Sequence, residues 1–126
     1  MHPNCLLQKV STLHVTATAA TGVTITATLP AVAGLRHYID YIQVNRSPTA
    51  LLTASATPVL VTTTNLPGNP VLTFGQDAAP QGLDREQRLD FSSSLAASAI
   101  GIATTVVCPA YTGVIWRINV AYRLGL

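Results

Sequence analysis

The stretch "LRHYIDYIQVNR", Leu35 to Arg46, gathers His37, Asp40 and two arginines beside two tyrosines. A histidine and an aspartate this close are the residue types of a general acid–base pair, or of two ligands to one metal ion. Either chemistry needs both side chains on one side of the backbone. The segment is rich in β-branched and aromatic residues and reads as a strand, on which side chains alternate between faces. Leu35, His37, Ile39 and Tyr41 then share one face, and Tyr38, Asp40, Ile42 and Val44 the other. His37 and Asp40 point apart unless a bulge intervenes. The expectation is a strand histidine with its hydrogen bonds satisfied, and an aspartate paired with an arginine of an adjacent strand or subunit.

Other reactive groups are scattered. Only two further histidines occur, His2 and His14, both near the N-terminus, and no GxSxG motif accompanies them. Cys5 and Cys108 have no metal-ligand spacing between themselves or with the histidines. Cys108 stands beside Pro109 at a strand end, where apolar surroundings raise a thiol's pKa rather than lower it. Both cysteines read as reduced, buried thiols of a protein made inside a cell, although sequence does not give their separation. Glycine-rich phosphate loops are absent. The expectation is a chain without catalytic residues, cofactor or metal.

Charge narrows the partners. Seven Lys and Arg and five Asp and Glu occur in 126 residues, where an ordinary domain of that length carries about 31 charged residues. The net charge of +2 is small and its cations are spread singly, unlike the basic face of a nucleic-acid binder. The aromatic residues are too few and dispersed for a single-strand stacking platform. So little charge solvates a large free surface poorly, and the simplest cover is further copies of the same chain. Residues 10–35 and 91–116 are uncharged, but Thr, Ser, Gly and Pro interrupt them and neither reads as a membrane-spanning helix. No basic region precedes an apolar block at the N-terminus, so no signal peptide is expected.

The elements that must position all this have a period of two. Val23, Ile25, Ala27 and Leu29 alternate with Thr24, Thr26 and Thr28; Leu13, Val15 and Ala17 alternate with His14, Thr16 and Thr18. The "ATAATG" between them suits a hairpin, with Gly22 free to adopt positive φ. At the C-terminal end Trp116, Ile118, Val120, Tyr122 and Leu124 form one face, and Arg117, Asn119, Ala121 and Arg123 the other. Further strands are expected at 59–63, 71–75, 88–91 and 100–107. "NLPGNP", residues 65–70, is dense turn chemistry. Residues 47–58 read as a loop with at most one helical turn, and "FSSSLAASAIG" carries only a brief helical period. About eight strands predict an all-β fold, an antiparallel two-sheet sandwich of jelly-roll type. Residues 12–126 form one such domain by this reading, with residues 1–11 as an N-terminal arm over a neighbouring subunit.

Residues 75–90, "GQDAAPQGLDREQRLD", hold four of the five acidic residues. They read as a long exposed loop, and loops of that length usually serve a function. Ion pairs in such a loop would set register and partner choice at a contact surface. The candidate interface therefore consists of Asp77, Asp84, Arg85, Glu86, Arg88 and Asp90, with Arg117 and Arg123 from the last strand.

Three phrases, "AVAGLRHYIDYIQV", "TTTNLPGNPVLTFGQDA" and "GVIWRINVAYRLGL", resemble strand phrases of the small virion proteins of tailed bacteriophages. They cover about residues 31–46, 61–78 and 113–126 and contain no catalytic motif. The resemblance implies a capsid decoration or cement protein made in the host cytoplasm. Such a protein is a homo-oligomer, a trimer by preference, seated on the major capsid protein at threefold or quasi-threefold positions, with no nucleic-acid or membrane partner. The nearly uncharged N-terminal part matches no pattern of these proteins. The alternative is a tail- or fibre-associated module that recognises a host glycan or surface protein. A small hydrolase dependent on His37 ranks last.

Overall fold

The computed structural model describes residues 12–126, and all of its regular structure is β. The arm proposed for residues 1–11, and Cys5 within it, lie outside the described residues. Eight strands follow one another: β1 Leu13–Thr18, β2 Ile25–Leu29, β3 Arg36–Pro48, β4 Ser55–Thr64, β5 Leu72–Gln76, β6 Arg85–Ala96, β7 Thr104–Cys108 and β8 Val114–Gly125. They form two four-stranded antiparallel sheets, ordered β1-β8-β3-β6 and β2-β7-β4-β5. We call these the first and the second sheet. The pairings β1 with β8, β2 with β7, β3 with β6 and β4 with β5 describe one long hairpin wound upon itself, the jelly-roll path.

The inward residues of each strand are the apolar members of its alternation. Ile39, Ile42, Val44, Trp116, Ile118 and Val120 of the first sheet meet Ile25, Leu29, Val61, Phe74 and Val106 of the second, all buried. Trp116 is the centrepiece. Its ring lies 5.2 Å from Phe74 and 6.1 Å from Tyr111 between centroids. The indole Nε1 donates to the Pro109 carbonyl at 2.9 Å, so the one polar atom of a large buried ring is satisfied.

Three expectations need correction. The "ATAATG" segment is not a hairpin, because β1 pairs with β8 in one sheet and β2 with β7 in the other. Gly22, at φ +77°, instead turns the chain between sheets, its N–H donating to the Val114 carbonyl at 2.9 Å. Of residues 75–90 only 77–84 form a loop, since Gly75 and Gln76 close β5 and the charged stretch from Arg85 forms β6 at the margin of the first sheet. Charges on a margin strand discourage pairing with foreign strands, and they hid its alternation. Finally, "FSSSL" belongs to β6 and residues 49–54 contain no helical turn.

The turn at residues 65–70 links β4 to β5 as its composition predicts, with Asn65, Gly68 and Asn69 all at positive φ. The connections gather at two opposite ends. One end holds loops 19–24, 49–54, 77–84 and 109–113; the other holds 30–35, 65–71 and 97–103. Between them runs the full length of β3, about 40 Å at the usual rise per residue.

Candidate functional site

The bulge that would reunite His37 and Asp40 does exist. Ile39 pairs with Tyr122 and Tyr41 with Ala121, leaving Asp40 as the extra residue on β3. It falls after Ile39, so it reverses the face of everything beyond it. His37 and Ile39 point inward, and so do Ile42, Val44 and Arg46. Asp40 stays outside. There it receives Arg123 Nη2 of β8 at 3.2 Å and the Ser94 hydroxyl of β6. The expected aspartate–arginine pair across adjacent strands is present.

His37 is enclosed by a hydrogen-bonded chain. Nε2 lies 2.8 Å from the Pro30 carbonyl and Nδ1 2.8 Å from Thr104 Oγ1. A carbonyl only accepts, so in the neutral ring Nε2 carries the proton and Nδ1 accepts from the threonine hydroxyl. Asn65 Nδ2 donates in turn to Thr104 Oγ1 at 3.2 Å. With Tyr122 edge-on at 5.4 Å, the ring staples three connections at one end of the sandwich. Replacing His37 by Phe keeps a ring there but leaves the buried Thr104 hydroxyl without its acceptor and the Pro30 carbonyl without its donor, so denaturant titration should show a loss of about 1–3 kcal/mol.

Cys108 is equally committed. Its thiol is free and fully buried, and burial pushes its pKa up to about 12. The thiolate is the reactive species, so Cys108 in the native protein should resist a maleimide at pH 8 and react once denatured. Mass spectrometry of the Cys108 peptide reads the difference.

The predicted interface residues divide into two groups. Glu86, Arg88 and Asp90 stand opposite Asn45, Gln43 and Tyr41 of β3, which in turn face Arg117, Asn119 and Ala121 of β8. With Arg123, five of the eight predicted residues thus share the outer face of the first sheet. Arg88 donates to Asp90 at 2.8 Å, and its guanidinium carbon lies 4.0 Å above the Tyr41 ring. The remaining three lie at the loop end, Asp77 and Asp84 in loop 77–84 and Arg85 at the start of β6. Asp84 accepts from Ser47 Oγ at 2.8 Å.

Asp77 leads to a residue the sequence reading missed. Arg46 is only 1% exposed, and its Nη1 donates to Asp77 Oδ1 at 3.0 Å and to the Gly75 carbonyl at 3.0 Å. Its Nε and Nη2 are buried without partners. Arg85 holds the other oxygen of Asp77 at 2.8 Å. The hydrogen bond from Arg46, aided by both guanidinium charges, holds the Asp77 carboxyl below its ordinary pKa. These groups line a cavity of about 340 Å³ together with Phe74, Glu86 and Gln87. On the unbulged alternation Arg46 shares the face of the polar Asp40; the register shift alone turns it inward.

The second sheet has a different outer surface. None of β2, β4, β5 and β7 carries a charged residue, whereas β3, β6 and β8 together carry nine. Thr26, Val107 and Thr62 form one cross-strand row of that surface, and Thr28, Thr105 and Thr64 the next. Leu60 and Val71 are exposed beside them. Among the described residues no three or more His, Cys, Asp or Glu side chains gather as metal ligands, and no helix is long and apolar enough to cross a membrane.

No protein-family profile and no curated protein sequence matches the chain. Among solved structures it is similar to the PRD1 vertex protein P5 at 10% identity and TM-score 0.45, over 87% of this chain and 71% of that one. It is similar to a chain of the cyanophage Pam1 capsid asymmetric unit at 14% identity and TM-score 0.43, over 91% and 84%. A family 16 carbohydrate-binding module follows at 10% identity and TM-score 0.38, over 86% and 74%.

Proposed function

We propose that this chain is a non-enzymatic structural subunit of a virion, a decoration or cement protein that stabilises a coat lattice as a homo-oligomer, a trimer by preference. The observation that carries the reading is the segregation of charge: strand charges are confined to the first sheet, and the second presents uncharged side chains, chiefly threonine and aliphatic ones. Covering an uncharged face strips water from no ion, so it is the inexpensive face to bury against a neighbour. The ionic face then serves solvent or register. The groups suited to chemistry support the same reading: His37 and Asp40 are hydrogen-bonded across strands, and Cys108 is a buried free thiol. Residues 12–126 act as the single sandwich domain, and residues 1–11 as an arm reaching a neighbouring subunit.

The test uses coat particles lacking the chain. Added protein should co-sediment with them and raise the temperature at which they release their contents. Thr62→Arg, in the middle of the uncharged face, should leave the circular-dichroism spectrum and melting temperature unchanged and abolish co-sedimentation. Failure of the unaltered protein to bind any coat lattice overturns the proposal. The polar cavity around Arg46, Asp77 and Gln87 favours a second reading, recognition of a host surface glycan. That reading requires binding to host cells that Asp77→Ala removes and Thr62→Arg leaves intact.

A further inference from the structure

The flank formed by β5 and β6, the margin strands of the second and the first sheet, holds an unbalanced charge. Arg46 of β3 stands directly opposite Arg85 of β6 in the strand register. Like charges in that position repel, so an anion between them is stabilising. Asp77 supplies one, accepting from Arg46 Nη1 at 3.0 Å through one oxygen and from Arg85 Nη2 at 2.8 Å through the other. The trio still carries one net positive charge. Glu86 makes no ion pair among the described residues and stands opposite Asn45 in the strand register.

The inner arginine is also short of acceptors. Arg46 is 1% exposed, and its Nη1 serves both Asp77 and the Gly75 carbonyl, while Nε and Nη2 are buried without a partner. These two nitrogens form one edge of the planar guanidinium, a fork that takes both oxygens of a carboxylate. Buried donors in native folds are almost always paired, so two on one edge mark a place for an acceptor. Room for it exists. Arg46 lines the cavity of about 340 Å³ with Phe74, Asp77, Arg85, Glu86 and Gln87, a volume in the range of small-molecule sites. Phe74 gives an apolar wall, and Asp77, Glu86 and the Gln87 amide oxygen are acceptors suited to hydroxyl groups.

We infer that this cavity binds the carboxylate of an acidic sugar, whose two oxygens accept from Arg46 Nε and Nη2 while its hydroxyls donate to Asp77, Glu86 and Gln87. A monocarboxylate cancels the net charge of the trio. An inorganic phosphate dianion exceeds it and meets the Asp77 and Glu86 carboxylates. Asp77 and Gly75 fix the Arg46 guanidinium before a ligand arrives, which lowers the cost of binding. Arg85, 56% exposed, is free to turn outward and admit the ligand. The choice of a sugar as carrier rests on the glycan reading; the carboxylate rests on Arg46 alone.

The test is an NMR titration of the full chain, labelled with nitrogen-15, against glucuronate, glucose, acetate and inorganic phosphate. Glucuronate should saturate with a Kd of about 0.1–10 mM and shift the amides of Gly75, Asp77 and Gln87. It should bind about 10–100-fold more tightly than glucose, the difference expected for hydrogen bonds to a charged group. Arg46→Met, its fold checked by circular dichroism, should lose that advantage. Arg85→Ala, at an exposed position, should weaken glucuronate as well and gives a readout independent of the core. Thr62→Arg, on the second sheet, should change nothing. Glucose binding as tightly as glucuronate overturns the inference and leaves the glycan reading standing. Acetate or phosphate binding as tightly as glucuronate overturns it too, as does glucuronate binding that survives in a folded Arg46→Met. If none of the four binds, the inference falls, and the glycan reading is decided separately by the host-cell assay.

Discussion

Replacing Trp116 with alanine is expected to remove about 3–5 kcal/mol of stability, the range for deleting a large aromatic ring from a core that cannot collapse around the space. The ring is buried against Phe74 and Tyr111, and its Nε1 proton satisfies the Pro109 carbonyl. The variant therefore loses apolar burial and leaves a carbonyl unpaired at the β7–β8 connection. Against a total of about 5–15 kcal/mol for an ordinary domain, a loss of that size brings the chain close to its unfolding limit. Urea titration should show an earlier midpoint with an unchanged slope. Trp116→Phe should recover more than half of the loss, since it restores ring contacts without the donor. Equal stability of Trp116→Ala and the unaltered protein would refute the packing described.

The second large effect separates shape from charge at Arg46. Arg46→Ala should cost about 2–4 kcal/mol, because a fully buried side chain is lost and its contacts are not replaced. Arg46→Met keeps much of the volume and removes a buried cation whose Nε and Nη2 have no partners. Exchanging buried ion pairs for apolar residues is often neutral or stabilising, so Met should stay within about 1 kcal/mol of the unaltered protein. Acid provides a second readout. Asp77 has a lowered folded-state pKa, so its contribution is fully present above the unfolded carboxyl value of about 3.9 and disappears as pH falls through the folded value. In Arg46→Met the largest cause of that lowering is gone. The difference in stability between pH 7 and pH 3 should therefore shrink, which paired denaturant titrations at the two pH values would measure. An Arg46→Met protein as unstable as Arg46→Ala would show that the guanidinium is needed for its charge.

The alternation of Thr with Val, Ile and Ala made most strands legible, and the "NLPGNP" composition correctly placed the β4–β5 turn. Two features lay beyond a local reading. A strand such as β6 that meets water along its length and margin carries charges, and those mimic a loop. The apolar positions along 35–46 pass from Leu35 and Ile39 to Ile42 and Val44, and only the register against β8 identifies that change as a bulge at Asp40. Arg46 lies beyond the residues whose faces that alternation assigns, and its burial follows from the same register. The candidate interface was half legible. Charges along 75–90 were recognised as a group, but the sheet that places Glu86, Arg88 and Asp90 beside Arg117 and Arg123 depends on pairings far apart in the chain. The blank face of the second sheet was present as a run of threonines, yet only the strand order gathers those runs into one surface.

The nested hairpin also bears on synthesis. β8 lies between β1 and β3 in the first sheet, so a nascent polypeptide that has not yet released Val114–Gly125 from the ribosome has no middle to that layer. Its earliest strand must wait, unpaired, for its last. Products that stop short of β8 cannot close the sandwich and present open edges to chaperones and proteases, so the winding acts as an inspection step that only a chain carrying Val114–Gly125 passes.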